Sequence, residues 1–371
     1  MAFLKRIRLN GYKSIRTMDL ELRALNVVIG VNGAGKSNLI SFFKMLNEMM
    51  GGRLQQFIAA NGYAQSLLHF GPKVTPQFEA ELEFEADNGT DSYFMRMFYA
   101  SGDALVFAEE SLKFVPTGWA GHREPLELGP GHQETRIRDE AEKGNAIAKV
   151  FRHLLNHCRA FHFHDTSQTA RIRQYCYVGD DRLLMPDAGN LAAILYRLRN
   201  KEEGPAYHRI LETVRRIAPF FEDFELEPTG RSKQDLILNW RHKGSDRVFG
   251  PHQLSDGTLR AIALVTLLLQ PVDDLSDVIL VDEPELGLHP AAKTLVAGLL
   301  KKASHHCQIV VATQSAALLD AFEPDDVIVV ERDDMVSRFK RLDPVQLKAW
   351  LENYSLGELW EKNVIGGGPF A

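Results

Sequence analysis

A glycine-rich segment that ends in lysine and serine has the residue types needed to bind phosphate. It follows the pattern G-x-x-x-x-G-K-[ST] and consists of Gly30, Val31, Asn32, Gly33, Ala34, Gly35, Lys36 and Ser37. Glycines let successive main-chain N–H groups turn toward phosphate oxygens, where side chains would collide. Lys36 is expected to reach the β- and γ-phosphates, and the Ser37 hydroxyl is expected to bind Mg²⁺. We call these residues the phosphate loop, and they predict a nucleotide site.

Two adjacent carboxylates follow an apolar run in the second half of the chain. Residues 278–281 read as a buried strand, and Asp282, Glu283 and Pro284 come directly after it. An aspartate at such a strand end can hold Mg²⁺ through water, which suits Asp282. Glu283 is then placed to polarise the water that attacks the γ-phosphate. Two carboxylates that merely cap a strand are the alternative.

A third segment, LSDGTLR at residues 254–260, precedes the acidic pair. Ser255 suits a helix N-cap, and an apolar stripe at helical spacing follows it. A helix N-terminus with a hydroxyl and a glycine, Ser255 and Gly257, is suited to an anion. We call residues 254–260 the signature segment. Alone, it also fits an ordinary capped helix.

Four segments occur in the order that is typical of ABC-type ATPases: GVNGAGKSN, LSDGTLR, VDEPELGLHP and VVATQS. The chain resembles the SMC, RecF and OLD (overcoming-lysogenization-defect) branch of that family over almost its whole length. It is most similar to a group of stand-alone bacterial proteins described as AAA-family ATPases. The segments FHFHDTS, DAGNLAAILYRL and YSLGELWEKNVIGG add to the resemblance without indicating chemistry.

The resemblance implies a P-loop NTPase fold, ATP and Mg²⁺ as cofactors, and nucleotide contacts from the phosphate loop and from Asn38, which follows it. It also implies that Ser255 and Gly257 contact the γ-phosphate held by a second copy of the chain. Each chain would then bind one nucleotide with its phosphate loop and contact a second nucleotide with its signature segment. Two copies would form a homodimer around ATP. ATP would favour the closed pair, because only that state makes the signature contacts.

Further nucleotide contacts are implied by position alone. Lys13 and Ser14 match a basic-polar pair that reaches the phosphates in SMC-like heads, although they also fit a surface turn. Gln65 is a candidate for the glutamine that joins Mg²⁺ and water. Gln314 stands where many relatives have a histidine that senses the γ-phosphate. Glutamine can donate a hydrogen bond there but cannot titrate.

The elements that must position these residues form an α/β pattern. A buried strand at residues 25–29 precedes the phosphate loop, and a helix follows it to about residue 50. Alternating apolar residues near 78–84, 92–100 and 104–114 predict an antiparallel layer, and residues 116–145 read as a long exposed loop. Helices and strands alternate after residue 256, which indicates a largely parallel sheet.

We therefore expect a single head over residues 1–371 with three regions. These are an N-terminal lobe (1–115), an inserted loop and helical region (116–224) and a C-terminal lobe (225–371).

Composition narrows the class of protein further. The net charge is −6, and 45% of the 371 residues are hydrophobic, which is ordinary for a globular protein. The three cysteines are scattered without metal-like spacing, which fits a reducing cytoplasm. The longest apolar stretch is too short to span a bilayer. Basic clusters occur near residues 5–8, 171–173 and 338–341. They are interpreted as solvated faces of strands and helices, with DNA contact as the alternative.

Two histidine groups raise the question of a metal. His305, His306 and Cys307 are adjacent and cannot readily converge on one ion. His162 and His164 alternate on a predicted strand and share one face, so a zinc site there is a secondary hypothesis.

The resemblance to OLD-like ATPases implies an ATP hydrolase that regulates a partner effector, such as a TOPRIM-type nuclease acting in phage defence. The sequence after Gln314 is too short for a TOPRIM fold, despite the acidic residues Glu331, Asp333 and Asp334, so the effector is expected in trans. The alternative is a RecF-like ATPase that binds DNA directly. A transporter engine and a scaffold with negligible turnover are further hypotheses.

Overall fold

The computed structural model describes residues 2–119, 121, 123–200 and 204–368. Residues 120, 122 and 201–203 of the predicted insertion, and residues 1 and 369–371 of the predicted lobes, lie outside the described residues. The chain divides into two compact units. Unit 1 comprises Met1–Ala160, Ser276–Leu280 and Gln308–Ala371, and unit 2 comprises Phe161–Leu275 and Val281–Cys307.

The strands and helices follow one another closely along the chain. The strands are β1 (Phe3–Tyr12), β2 (Ile15–Glu21), β3 (Leu25–Ile29), β4 (Gln77–Ala86), β5 (Gly89–Ala100), β6 (Ala104–Pro116), β7 (Leu126–Glu127), β8 (Cys158–Phe161), β9 (Cys176–Tyr177), β10 (Phe221–Glu225), β11 (Asp235–Leu236), β12 (Asn239–His242), β13 (Val248–Phe249), β14 (Val278–Asp282), β15 (Gln308–Thr313), β16 (Val327–Asp333) and β17 (Val336–Arg341). The helices are α1 (Lys36–Met50), α2 (Leu54–Ala60), α3 (Tyr63–Leu67), α4 (Ile137–Glu142), α5 (Ala146–Asn156), α6 (Leu191–Asn200), α7 (Pro205–Ile217), α8 (Asp256–Leu269), α9 (Pro290–Ala303), α10 (Ala316–Leu319), α11 (Pro344–Leu351) and α12 (Leu356–Glu361).

Unit 1 is built on two sheets. The first is an antiparallel sheet with the order β2-β1-β4-β5-β6-β7, which confirms the predicted antiparallel layer. The second has the order β17-β16-β3-β15-β14-β8, and β3 runs parallel to both β15 and β16. One continuous apolar core joins both sheets to α1 and α5. All five residues of β3 are buried, as expected of a strand covered on both faces.

Unit 2 combines helices with short strands. The order β10-β12-β13 forms a small antiparallel sheet whose aromatic side chains pack together, and Phe221 stacks on Trp240 with ring centroids 5.6 Å apart. α7 packs against α8, whose apolar residues are buried over nearly the whole helix. Ser255 is the N-cap of α8, as the sequence predicts, and its hydroxyl accepts a hydrogen bond from Thr258 N.

The interpretation of residues 116–145 as one exposed loop is wrong. The segment includes α4, and the side chains of Leu128, Thr135 and Ile137 are buried. The fully buried Glu110 carboxylate explains this: it accepts hydrogen bonds from the Thr135 hydroxyl at 2.6 Å and from Arg136 N at 3.1 Å. A buried carboxylate needs such donors, and they draw the segment onto the antiparallel sheet.

Within the described residues, no helix is both long and apolar enough to cross a membrane. A spanning helix needs about 20 apolar residues.

Candidate functional site

The phosphate loop lies in unit 1 between the end of β3 and the start of α1. Its backbone leaves no room for side chains at two glycines. A Cβ at Gly30 would lie 2.4 Å from the main-chain oxygen of Val330 in β16. Gly35 has φ +120°, and a Cβ there would lie 2.0 Å from Ser337 Oγ. These residues are therefore glycines both for the loop conformation and for close packing against the neighbouring strands.

Lys36 is the first residue of α1, and its side chain is buried. Its ammonium donates to the main-chain oxygens of Gly30 at 2.5 Å and Val31 at 3.2 Å. The positive group thus lies over the loop that precedes it, where phosphate oxygens can replace the carbonyls as acceptors. Ser37 is exposed in the first turn of α1, so its hydroxyl is accessible to a cation.

A chain of hydroxyl groups supports the back of the loop. Asn38 Nδ2 donates to Ser14 Oγ at 2.5 Å, and Ser14 Oγ lies 2.6 Å from Ser337 Oγ. Ser337 Oγ in turn donates to the main-chain oxygen of Ala34. Ser14 and Asn38 therefore stabilise the shape of the loop in this structure, and Ser337, which sequence reasoning missed, completes the connection.

Lys13 and Gln65 line one cleft together with Ser14 and Asn38. Lys13 Nζ donates to Ser41 Oγ at 2.7 Å, and burial, with a smaller effect of Lys44, lowers the pKa of Lys13. Gln65 lies in α3, its main-chain N–H bonds Asp103, and its side chain is exposed. The cleft has a volume of about 410 Å³, and its lining includes Lys13, Ser14, Asn38, Gln65, Arg332 and Met335.

Gln314 and Arg332 belong to the segments on either side of β3, the strand that leads into the phosphate loop. Gln314 directly follows β15, whose last residue, Thr313, lies opposite Ile29 of β3 in parallel register. Gln314 therefore sits at the edge of the sheet from which the phosphate loop leaves. Arg332 Nη1 donates to the main-chain oxygen of Gly33 at 3.0 Å. Arg332 was missed because it is far along the chain in a run of charged residues.

Unit 2 carries the acidic pair at the end of β14. Asp282 is the last residue of the strand, and its main-chain oxygen accepts a hydrogen bond from His164 Nε2 at 3.0 Å. Glu283 has φ +43°, which is the left-handed region that non-glycine residues rarely adopt. Such strain costs on the order of 1–3 kcal/mol and is found mainly at functional sites. Both side chains are half-buried.

The signature segment is closely packed against the loop that follows the acidic pair. A Cβ at Gly257 would lie 2.3 Å from the main-chain oxygen of Gly287, so the two backbones are in direct contact. The side chain of Ser255 is exposed at the N-terminus of α8. Gly257 is thus required by packing within unit 2, and the Ser255 hydroxyl caps α8 through Thr258 N and also lies 2.8 Å from Thr258 Oγ1.

Arg173, which is 3% exposed, holds the signature segment in place. Its guanidinium donates to the main-chain oxygens of Thr166 at 2.8 Å and of Pro251, and to Asp256 Oδ1 at 2.7 Å. The pKa of the Asp256 carboxyl is lowered by hydrogen bonds from the Thr166 hydroxyl and then from Arg173. The segment before α8 is therefore fixed by a buried cation.

Arg260 connects α8 to the segment FHFHDTS. Its guanidinium donates to the main-chain oxygens of Phe163 at 3.1 Å and His164 at 2.7 Å. Since His164 bonds the main chain of Asp282, this segment links the signature helix to the acidic strand end within unit 2. His164 thus has a positioning contact, and the zinc site proposed for His162 and His164 stays without support among the described residues.

The predicted site residues fall into two sets. Unit 1 brings together the phosphate loop, Asn38, Lys13, Ser14, Gln65 and Gln314, and unit 2 brings together Asp282, Glu283, Ser255 and Gly257. In unit 1, a buried ammonium, a loop that excludes Cβ atoms and an exposed helix-start hydroxyl suit the phosphates of a nucleotide. In unit 2, a strand-end carboxylate is a ligand type that suits a divalent cation.

The fold is shared with heads of SMC proteins. One solved structure, described as an Smc head bound to the C-winged helix domain of ScpA, has a TM-score of 0.61 at 14% identity, covering 94% of this chain and 99% of the other. An Smc head domain with an extended coiled coil bound to the C-terminal domain of ScpA, derived from Pyrococcus furiosus, has a TM-score of 0.60 at 15% identity, covering 95% and 99%. An Smc head domain with a coiled coil and joint from Pyrococcus yayanosii has a TM-score of 0.53 at 13% identity, covering 95% and 99%.

The chain has the P-loop NTPase fold of SMC heads, as predicted. Residues 135–320, half of the chain, match the family described as "AAA domain, putative AbiEii toxin, Type IV TA system", and the chain belongs to this family. It is an ATP hydrolase. No curated protein matches the sequence.

Proposed function

We propose that two copies of the chain close around Mg-ATP and that this closure controls a partner protein. The observation that carries the proposal is the start of α8. Ser255 is exposed there, while Arg173 and Arg260 hold the surrounding main chain from the buried side. A fixed helix N-terminus with an exposed N-cap serine is suited to an anion that arrives from outside the chain. The γ-phosphate held by a second copy is such an anion.

In this composite site the residues of the chain have different roles. Lys36 and the main-chain N–H groups of the loop hold the phosphates. Ser37 and Asp282 are the residues that would hold Mg²⁺, and the ion would supply positive charge beside the phosphates. Glu283 accepts the proton of the attacking water, and its strained backbone fixes its direction. Gln65 and Gln314 are proposed to hydrogen-bond the water and the γ-phosphate, respectively.

The test of this site is the variant Glu283→Gln. It removes the base and keeps the shape, so we expect phosphate release to fall at least about 100-fold and a dimer to accumulate with ATP in light scattering. Lys36→Ala is expected to stay monomeric with ATP, because it loses nucleotide binding.

Adding Ser255→Arg to Glu283→Gln places a bulky group at the exposed helix start and is expected to restore the monomer. Wild-type turnover by Glu283→Gln would refute its role as base. A dimer that persists in the double variant would refute the composite site.

We further propose that the partner is a separate effector, a nuclease of the TOPRIM type, with a role in defence against phage. The family description names a toxin of a toxin–antitoxin system, which supports an effector pathway. The residues after Gln314 build β16, β17 and three short helices of unit 1. Cys158, Cys176 and Cys307 form no disulfide bond with one another, which supports a cytoplasmic setting. Capture of a nuclease from the native host by Glu283→Gln with ATP, but not by Lys36→Ala, would support the proposal.

Direct DNA binding is the competing function, and the charge distribution weighs against it. Six cations of the basic clusters are paired with carboxylates, and the pairs are Lys5–Glu85, Arg6–Asp19, Arg8–Glu81, Arg171–Asp187, Arg173–Asp256 and Arg338–Asp333. Cations that are already paired release few counterions on binding phosphate. ATP-stimulated, salt-sensitive DNA binding by the purified chain would favour the RecF-like alternative.

A further inference from the structure

Three metal-binding side chains converge in unit 1 outside the nucleotide motifs. His153 lies in α5, His157 is the C-cap of that helix, and Asp277 directly precedes β14. His153 Nε2 lies 3.5 Å from Asp277 Oδ2, and His157 Nδ1 lies 3.9 Å from the same oxygen. One ligand atom from each residue lies within 4.8 Å of the other two.

The main chain holds these three residues in one frame. His157 N donates to His153 O at 3.0 Å, and Val278 N, next to Asp277, donates to His157 O at 3.0 Å. On its other side, Asp277 O accepts from Gln308 N at 2.8 Å. The backbone positions are thus fixed before any ligand arrives, and only side-chain torsions are left to adjust.

The distances between the ligand atoms match those around a small, borderline-soft cation. Bonds of about 2.0–2.2 Å from a tetrahedral zinc ion place its ligand atoms roughly 3.3–3.5 Å apart, close to the two distances from Asp277. Histidines four residues apart share one helix face. Two imidazoles and one carboxylate favour zinc-like ions over Mg²⁺ or Ca²⁺, which prefer oxygen ligands. The His153 side chain is 60% exposed, so a water molecule can supply the fourth ligand.

We propose that His153, His157 and Asp277 form a binding site for a divalent transition-metal ion of the zinc class. Such an ion would tie the end of α5 to the start of β14, and it would stabilise the folded chain because the unfolded chain lacks the site. The proposal is independent of the dimer and of the effector.

Co²⁺ is the probe, because tetrahedral coordination by imidazole gives a visible absorption band. The tag-free, full-length protein without nucleotide is titrated with CoCl₂, and thermal unfolding is recorded with and without ZnCl₂. We expect a saturable band and a higher Tm with zinc. His153→Ala changes an exposed helical residue and should leave the fold intact. Its Co²⁺ affinity should fall by at least about 10- to 100-fold, since even outer-shell changes have effects of that size. Asp277→Asn should behave similarly.

The matched control is the double variant His305→Ala/His306→Ala, which removes two exposed histidines elsewhere. It should bind Co²⁺ like the wild type. A second control, Asp282→Asn, separates this site from the nucleotide site and should also keep the band. The proposal is overturned if the wild type shows no saturable band, or if His153→Ala and Asp277→Asn both retain its affinity and spectrum.

Discussion

Replacing Arg173 with alanine removes a buried cation from the base of the signature segment. The guanidinium bonds the main chain of Thr166, Pro251 and Leu254, as well as the Asp256 carboxylate. Alanine supplies none of these donors. We expect the variant to lose both folding stability and ATP-dependent dimerisation, because the main chain on which Ser255 sits is no longer held.

The loss of folding stability can be estimated from the buried acceptors that Arg173 satisfies. An unsatisfied buried acceptor costs about 1–3 kcal/mol, and two carbonyls, those of Thr166 and Pro251, lose short hydrogen bonds. The bonds to Leu254 are longer, at 3.4 Å. Asp256 is 61% exposed and regains water, so it adds little. Allowing for water entering the space, we expect the free energy of unfolding to fall by about 2–5 kcal/mol.

Arg171→Ala is the matched control, two residues away on the same short segment. Arg171 is 63% exposed and pairs with Asp187 at 3.3 Å, so its loss should cost less than about 1 kcal/mol. Urea denaturation monitored by circular dichroism measures both values, and light scattering with ATP in a Glu283→Gln background measures dimerisation. Equal stability losses in the two arginine variants, or normal dimerisation of Arg173→Ala, would refute the reasoning.

Three further predictions concern other parts of the molecule. Ser337→Ala leaves the main-chain oxygen of Ala34 without this donor, so we expect ATP affinity to weaken about 5- to 30-fold in calorimetry, equivalent to 1–2 kcal/mol; unchanged affinity would contradict the supporting role. Gly257→Ala should lower Tm and prevent the ATP-bound dimer, because its Cβ would lie 2.3 Å from Gly287 O, whereas Gly298→Ala in α9 meets open space and should be neutral or stabilising. Burial raises the pKa of Asp91 to about 6 from its ordinary value of 3.8. Between these values the folded chain keeps a proton that the unfolded chain releases, so stability from this group falls as pH rises from about 4 to 6 and is level above that. Asp91→Asn should remove this slope, worth at most about 3 kcal/mol, in denaturation measured at several pH values; an unchanged slope would count against the assignment.

Local sequence patterns were sufficient for the elements that carry the nucleotide motifs. The buried strand and helix around the phosphate loop appear as β3 and α1, and the helix predicted to follow Ser255 appears as α8. Their signals are short-range: a continuous apolar run, a glycine turn, a hydroxyl N-cap and helical spacing of apolar residues. Such signals can be recognised in a single sequence, because the residues that form each of them lie close together along the chain.

The contacts that support the site were not predictable in this way. Ser337 bonds Ala34 across 303 residues, and Arg332 bonds Gly33 across 299. No local periodicity marks such pairs. Arg173 was read as part of a solvated basic cluster, because its type alone suggests exposure and only tertiary packing buries it. His153 and Asp277 were missed because they lie on different elements, which only the tertiary fold brings together.

The position of the Lys36 ammonium has a consequence for the speed of nucleotide capture. Because the side chain is already immobilised on the carbonyls of Gly30 and Val31, its rotamer entropy is lost during folding. When a triphosphate binds, its oxygens replace the two carbonyls as acceptors of the Lys36 ammonium. The loop already has the conformation that binds phosphate. Association of the chain with nucleotide should therefore proceed in a single kinetic phase, and a slow phase that depends on protein concentration is expected only from the proposed dimerisation.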